Sequence, residues 1–155
     1  MASYAVKIPM NPSPKLSVRV GRGGAWNPNR YGMEQLKAWL MMSLPMGVSA
    51  PLLSSPLLMI VHFHIPLPPK ATKARKQAEN QKPHAQRPDI DNLLKYLNDC
   101  LSTILFKDDS QVAWLVASKT WTSDPKGHIE LFLKELPPGM VNRATVIEDL
   151  SHHLT

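Results

Sequence analysis

The chain has 155 residues, enough for one ordinary domain with a single core. A hydrophobic share of 43% excludes a disordered chain, and one cysteine, Cys100, excludes an intrachain disulfide framework and fits a reducing compartment. The net charge of +6 decides little by itself, but its distribution is informative.

In chain order, Ser3 to Ile8 alternates, with Tyr4, Val6 and Ile8 on one side, and predicts a short strand. Asn11-Pro12-Ser13-Pro14 breaks it. Lys15 to Tyr31 then reads as a loop or short ribbon carrying Lys15, Arg19, Arg22 and Arg30. Met33 to Met46 is expected to be helical, because Leu36, Trp39, Leu40, Ser43 and Leu44 recur on one face. Met41, Met42 and Met46 are expected in helix packing or a dimer contact.

Leu57 to Ile65 is the strongest predicted strand, apolar on both sides and therefore central. Bounded by Pro56 and Pro66, it is far shorter than the ~20 residues of a membrane-spanning helix. The N-terminus lacks an apolar run of signal-peptide length, so a cytoplasmic protein without membrane attachment is expected. From Pro66 to Arg87 the composition turns to Pro, Lys, Gln and Asn, which predicts a mobile basic loop. Lys70, Lys73, Arg75, Lys76, Lys82 and Arg87 stand there against Glu79 alone.

Ile90 to about Leu105 predicts a second helix, with Ile90, Leu93, Leu94, Leu97, Leu101, Ile104 and Leu105 on one stripe. Cys100, at the edge of that stripe, is expected to be a small core filler. Lys107 to Ser110 reads as a turn. Gln111 to Trp121 and His128 to Lys134 read as two strands forming a hairpin, and Pro137-Pro138-Gly139 closes the compact part. The expected organisation is one domain over residues 1–136 and a tail or weak helix over 137–155.

Pro88 disfavours helical geometry at Arg87, so Asp89 and Asp91 stand at an extended entrance to the second helix. Lys95 lies one turn beyond Asp91 and Asp99 one turn further. Asp108-Asp109 offers a third carboxylate from the far end of the same helix. It must fold back beside Asp89 or come from a second subunit. Converging carboxylates beside a basic segment suit a hard cation and a polyanion. The same residues also suit a plain N-cap, an i,i+4 pair and an ordinary turn, and spacing leaves both open.

The series Arg87-Pro-Asp-Ile-Asp-Asn-Leu-Leu-Lys95, then Asp99, then Lys107-Asp-Asp-Ser-Gln-Val112 and Lys119 resembles the RusA family of Holliday junction resolvases. The likeness is close over 87–119 and looser over the rest of 1–135, where Pro12, Lys15, Arg19, Pro28 and Tyr31 fall in the family's basic entry. It implies a mixed α/β fold, a single small domain whose mixed sheet is packed by two helices, working as a homodimer. It implies Asp89, Asp91 and Asp109 as catalytic ligands of Mg²⁺ (Mn²⁺ substituting) and Lys95 as the essential lysine. The substrate implied is four-way DNA rather than a small molecule, nicked symmetrically to leave 5′-phosphate ends.

Lys70, Lys73, Arg75, Lys76, Lys82 and Arg87, with Lys15 and Arg19, would contact DNA. Where the family often has Asn-Gly after the helix, this chain has Ser102-Thr103, which is expected to extend the helix. Two other readings are a non-catalytic module for branched DNA and a flap or structure-selective nuclease.

Trp114 is expected in core packing, and Trp26, among glycines and arginines, in a nucleic-acid contact. His62 and His64 share a strand face at a spacing a metal would accept. No cysteine or third histidine nearby completes a set, so a half-buried strand face is the simpler expectation.

Overall fold

Leu57–Pro66 (β4) occupies an interior position in a four-stranded sheet in the computed structural model, which describes residues 2–139 and 141–153. The other strands are Ser3–Ile8 (β1), Val112–Thr122 (β5) and His128–Glu135 (β6), in the order β1-β6-β4-β5. Arg19–Gly21 (β2) and Gly24–Trp26 (β3) form a separate exposed ribbon. β6 runs antiparallel to both β1 and β4, whereas β5 runs parallel to β4.

The expected β5–β6 hairpin therefore does not form, because β4 lies between its two members. A strand apolar on both sides gains most from an interior place, with both edges paired and both faces covered. The connection from Ser123 to Gly127 crosses the end of β4 instead of turning tightly.

Alternation along β4 divides its side chains between two cores. Met59, Val61 and Phe63 meet the helices Arg30–Ser43 (α1) and Ile90–Leu101 (α3) through Leu36, Leu40, Leu93, Leu97 and Leu101. Leu58 and Ile60 face the opposite side, where Arg143–His153 (α4) packs through Val146 and Leu136 completes the cluster. Much of the stretch read as a tail or weak helix is thus a helix, laid on the second face of the sheet. Trp114 packs into this second cluster, and Cys100 is fully buried in the first, as expected. Met41, Met42 and Met46 are exposed and do not pack inward.

The stretch expected to be a loop at 66–87 contains a short helix, Lys73–Glu79 (α2), capped by the Thr72 side chain accepting from Arg75 N. Beyond it the chain runs along the outer edge of β5. Gln81 N donates to Trp121 O, Trp121 N to Lys82 O and His84 N to Lys119 O. Composition missed this because the stabilising partner is the edge of a distant strand and not an apolar face of the segment's own. Among the described residues, no helix is long and apolar enough to cross a membrane.

α3 ends at Leu101, with Ser102 as C-cap, and is not extended as Ser102-Thr103 suggested. Thr103 adopts φ +70°, the left-handed turn that a glycine would make freely, and its N–H donates to Phe106 O at 2.7 Å. A branched residue resists this conformation by roughly 1–2 kcal/mol. Thr103→Gly is expected to stabilise the protein by about 1 kcal/mol, read as a higher urea midpoint with unchanged slope.

Candidate functional site

At the N-terminus of α3, Asp89 holds the N-cap position with an extended backbone (φ −69°, ψ 146°), yet its side chain makes no capping hydrogen bond. Asp91 follows in the first helical turn. Both are exposed, and the helix macrodipole favours negative charge there. Lys95 Nζ stands 3.5 Å from Asp91 Oδ2, with both side chains about two-thirds exposed. Such a pair is worth only ~0–1 kcal/mol and exchanges partners readily.

Lys119 sets the approach to these carboxylates. Its Nζ donates to Gln86 O at 2.6 Å and to Pro88 O at 2.7 Å, fastening the end of the basic segment to the face of β5 that carries α3. The sequence placed Lys119 in a motif series without a role. The structure makes it the clamp that fixes where the chain enters α3.

At the other end of α3, Asp108 and Asp109 part company. Asp108 caps a single 3-10 turn, Asp109–Gln111, by accepting from Ser110 N at 2.9 Å. Bonds from the Ser110 side chain and backbone hold the Asp108 carboxyl below its ordinary range. Gln111 staples this turn down: its Oε1 accepts from Lys107 N and Asp108 N, and its Nε2 donates to Ser55 O at 3.1 Å. Asp109 is left exposed within a fixed turn.

The turn does not fold back beside Asp89. α3 separates the two ends by ~18 Å at 1.5 Å per residue. Along β5, the register from Val112 beside Leu57 to Lys119 beside Phe63 covers a further measure of the same gap, ~23 Å. Among the described residues, the three His, Cys, Asp or Glu side chains whose ligand atoms lie within 4.8 Å of one another are His64, His128 and Glu130, not the aspartates.

The cations expected on DNA are distributed unevenly. Lys73, Arg75 and Lys76 lie on α2, and Lys82 reaches Glu79 at 3.4 Å. Lys70, Lys82 and Arg87 are exposed, and Arg87 leads directly into the acidic entrance. Lys15 is paired with Asp99 on α3, and its N–H donates to Asn92 O, which ties the N-terminal loop along that helix. Arg19 lies on the exposed ribbon with its guanidinium 5.6 Å from the Trp26 ring centre. Trp26 is half exposed, an aromatic surface beside a cation.

Residues 9–132 match the family model described as Endodeoxyribonuclease RusA. An uncharacterized protein, YqaN, of Bacillus subtilis (strain 168) is 30% identical over 89 residues, covering 55% of this chain and 61% of that protein. The crossover junction endodeoxyribonuclease rusA of Lactococcus phage r1t is 43% identical over 51 residues, covering 32% of this chain and 37% of the phage protein. Both matches span less than two thirds of the relative's own length. The family match covers the ribbon, α1, the basic segment, α3 and both ends that carry the aspartates, and the chain belongs to the RusA endodeoxyribonuclease family.

Proposed function

We propose that the protein is a divalent-metal-dependent endodeoxyribonuclease that resolves four-way DNA junctions as a homodimer. The observation that carries this reading is the uncommitted carboxylate of Asp89. It sits where a capping residue would sit, makes no capping bond, and stands with Asp91 at the end of a basic segment. Membership of the family and the phage relative's name support the reaction class.

Asp89, Asp91 and Asp109 form an all-oxygen donor set that fits a hard cation such as Mg²⁺ or Mn²⁺. Such an ion supplies charge neutralisation at the scissile phosphate and an acidified water as nucleophile. The chain's own groups do the rest. Lys95 leaves Asp91 for the phosphate at little cost, because an exposed pair holds weakly. Arg87, Lys82 and the cations of α2 hold the flanking backbone, and Arg19 with Trp26 offers a second contact on the ribbon.

One chain presents Asp89 and Asp91 about a strand length from Asp109, so each complete set takes Asp109 from the second subunit. A twofold dimer then carries two sites, as two symmetric nicks require. Mixing Asp91→Asn with Asp109→Asn protein tests this. In the mixed dimer one site receives both lesions and the other receives none. Nicking of a labelled junction should therefore reappear in the mixture, with Mg²⁺ and not with EDTA, although each variant alone is inactive. Continued inactivity of a mixture shown to contain mixed dimers would return all three aspartates to one chain. Junction binding by wild-type protein without cutting under any divalent ion would leave a binding module, and preferential cutting of flaps a structure-selective nuclease.

Lys119 acts through position. Lys119→Met strips two carbonyls of a charged donor and is expected to lower kcat at least ~10-fold while junction affinity stays within about twofold. An equal loss of binding and cutting would instead make Lys119 a DNA contact.

A further inference from the structure

The sheet face opposite α1 and α3 has an apolar half, covered by α4, and a polar half. Four residues of β4 point to it in alternation: Leu58 and Ile60, then His62 and His64. Register sets His128 of β6 beside His64 and Glu130 beside His62, and on the other side sets Ser118 and Thr120 of β5 beside the same two histidines. Of these, Ile60, His62, His64, Thr120 and Glu130 border a cavity of about 670 Å³ that Lys7, Gln81 and His153 also line.

The two neighbouring histidines of β4 have different surroundings. His62 is occupied at both ring nitrogens, Nδ1 by Ser118 Oγ and Nε2 by Thr120 Oγ1 at 2.8 Å. It stands edge-on to His64 with ring centres 4.3 Å apart and acts as a wall. His64 Nε2 is buried and forms no hydrogen bond, although Glu130 Oε2 lies 3.2 Å away. His128 stacks on His64 at 3.9 Å, with its Nε2 4.0 Å from Glu130 Oε1. The sequence offered His62 and His64 as the pair. Strand pairing instead joins His64 to His128, the third histidine that spacing along the chain did not supply.

We propose that His64, His128 and Glu130 form a binding site for a zinc-class divalent cation, with its remaining coordination position open to the cavity. Two imidazoles and one carboxylate are donors that borderline metals favour, whereas Mg²⁺ prefers oxygen alone. Tetrahedral ligands at zinc distances stand ~3.3 Å apart. The His64–Glu130 separation already meets that figure, and the three donors lie within 4.8 Å of one another, so the set closes when the stacked His64 and His128 rings tilt to turn their lone pairs towards one ion.

This site is separate from the aspartates. Phe63 and Lys119, adjacent in the register, belong to the face that carries α3, and His64 and Thr120 to the reverse face. The two sites therefore lie across the thickness of the sheet from each other.

Metal-free full-length protein titrated with Zn²⁺ by calorimetry should bind one ion per chain. Co²⁺ in its place should give the intense visible absorption of a four-coordinate complex. His128→Ala and Glu130→Gln should each weaken Zn²⁺ by more than ~100-fold, beyond the usual loss of an outer-shell partner. Asp89→Asn combined with Asp91→Asn should leave the affinity unchanged. Glu130→Gln is an isosteric change at an exposed carboxylate, so its circular dichroism should match wild type and show that any loss is not unfolding. Absence of stoichiometric Zn²⁺ binding would overturn the proposal. So would binding that survives both His128→Ala and Glu130→Gln, as an ion held by His152 and His153 would, or binding lost with the aspartates.

Discussion

A strand that is apolar on both faces must be paired on both edges and covered on both sides, and β4 is such a strand. Leu57, Leu58, Met59, Ile60 and Val61 are buried in succession, which no edge or half-covered position would allow. Pairing β4 with β5 in parallel then requires a crossover long enough to return the chain to its starting end. α3 is that crossover, and its direction is dictated: it begins past the end of β4 and finishes before the beginning of β5. Asp89 and Asp91, at its start, lie towards the carboxyl ends of the two parallel strands. Asp109, at its finish, lies towards their amino ends. The separation of the carboxylates is therefore a property of the topology.

That separation resists local adjustment. Leu93, Leu97 and Leu101 seat α3 in the main core, and Gln111 fixes the turn carrying Asp109 against Ser55. Moving Asp109 to Asp89 within one chain would mean extracting α3 or unpairing β5, each of which exposes several buried leucines or valines at ~1.5–3 kcal/mol per side chain. A twofold arrangement of two chains meets the same requirement without disturbing either core. Exposed, uncommitted carboxylates at both ends are consistent with surfaces built to meet a partner and a polyanion.

Much of this was legible in the sequence because it depended on local pattern. The period of Leu93, Leu97 and Leu101 fixed the inner face of α3, and continuous apolarity marked β4 as central. The carboxylate series at 89, 91 and 109 with Lys95 carried the family likeness. What escaped depended on partners distant in sequence. The basic segment has no apolar face, so its order comes from backbone bonds to β5 that composition does not encode. The β5–β6 hairpin was the natural reading of two adjacent strands, and only the need to enclose β4 rules it out. Thr103 turns the chain without the expected glycine because the bond to Phe106 and the packing of Phe106 itself oblige it to.

The reverse face of the sheet follows from the same central strand. α4 covers Leu58 and Ile60 but not the strand's last turn of alternation, so the remaining inward positions are filled by side chains that tolerate water. Polar groups set into a sheet still need partners, and the two histidines of β4 meet that need differently. His62 is satisfied by two hydroxyls of β5, whereas His64 faces a histidine and a carboxylate of β6 and retains an unbonded ring nitrogen. A core histidine serving packing alone would be expected to resemble His62. The contrast arises because the His62 ring takes both β5 hydroxyls, those of Ser118 and Thr120, which leaves His64 to the histidine and carboxylate of β6. The two faces of one sheet thus differ in donor chemistry: oxygen donors on the α3 side, nitrogen with one carboxylate behind. That difference in softness is what would let one chain sort a hard cation from a borderline one.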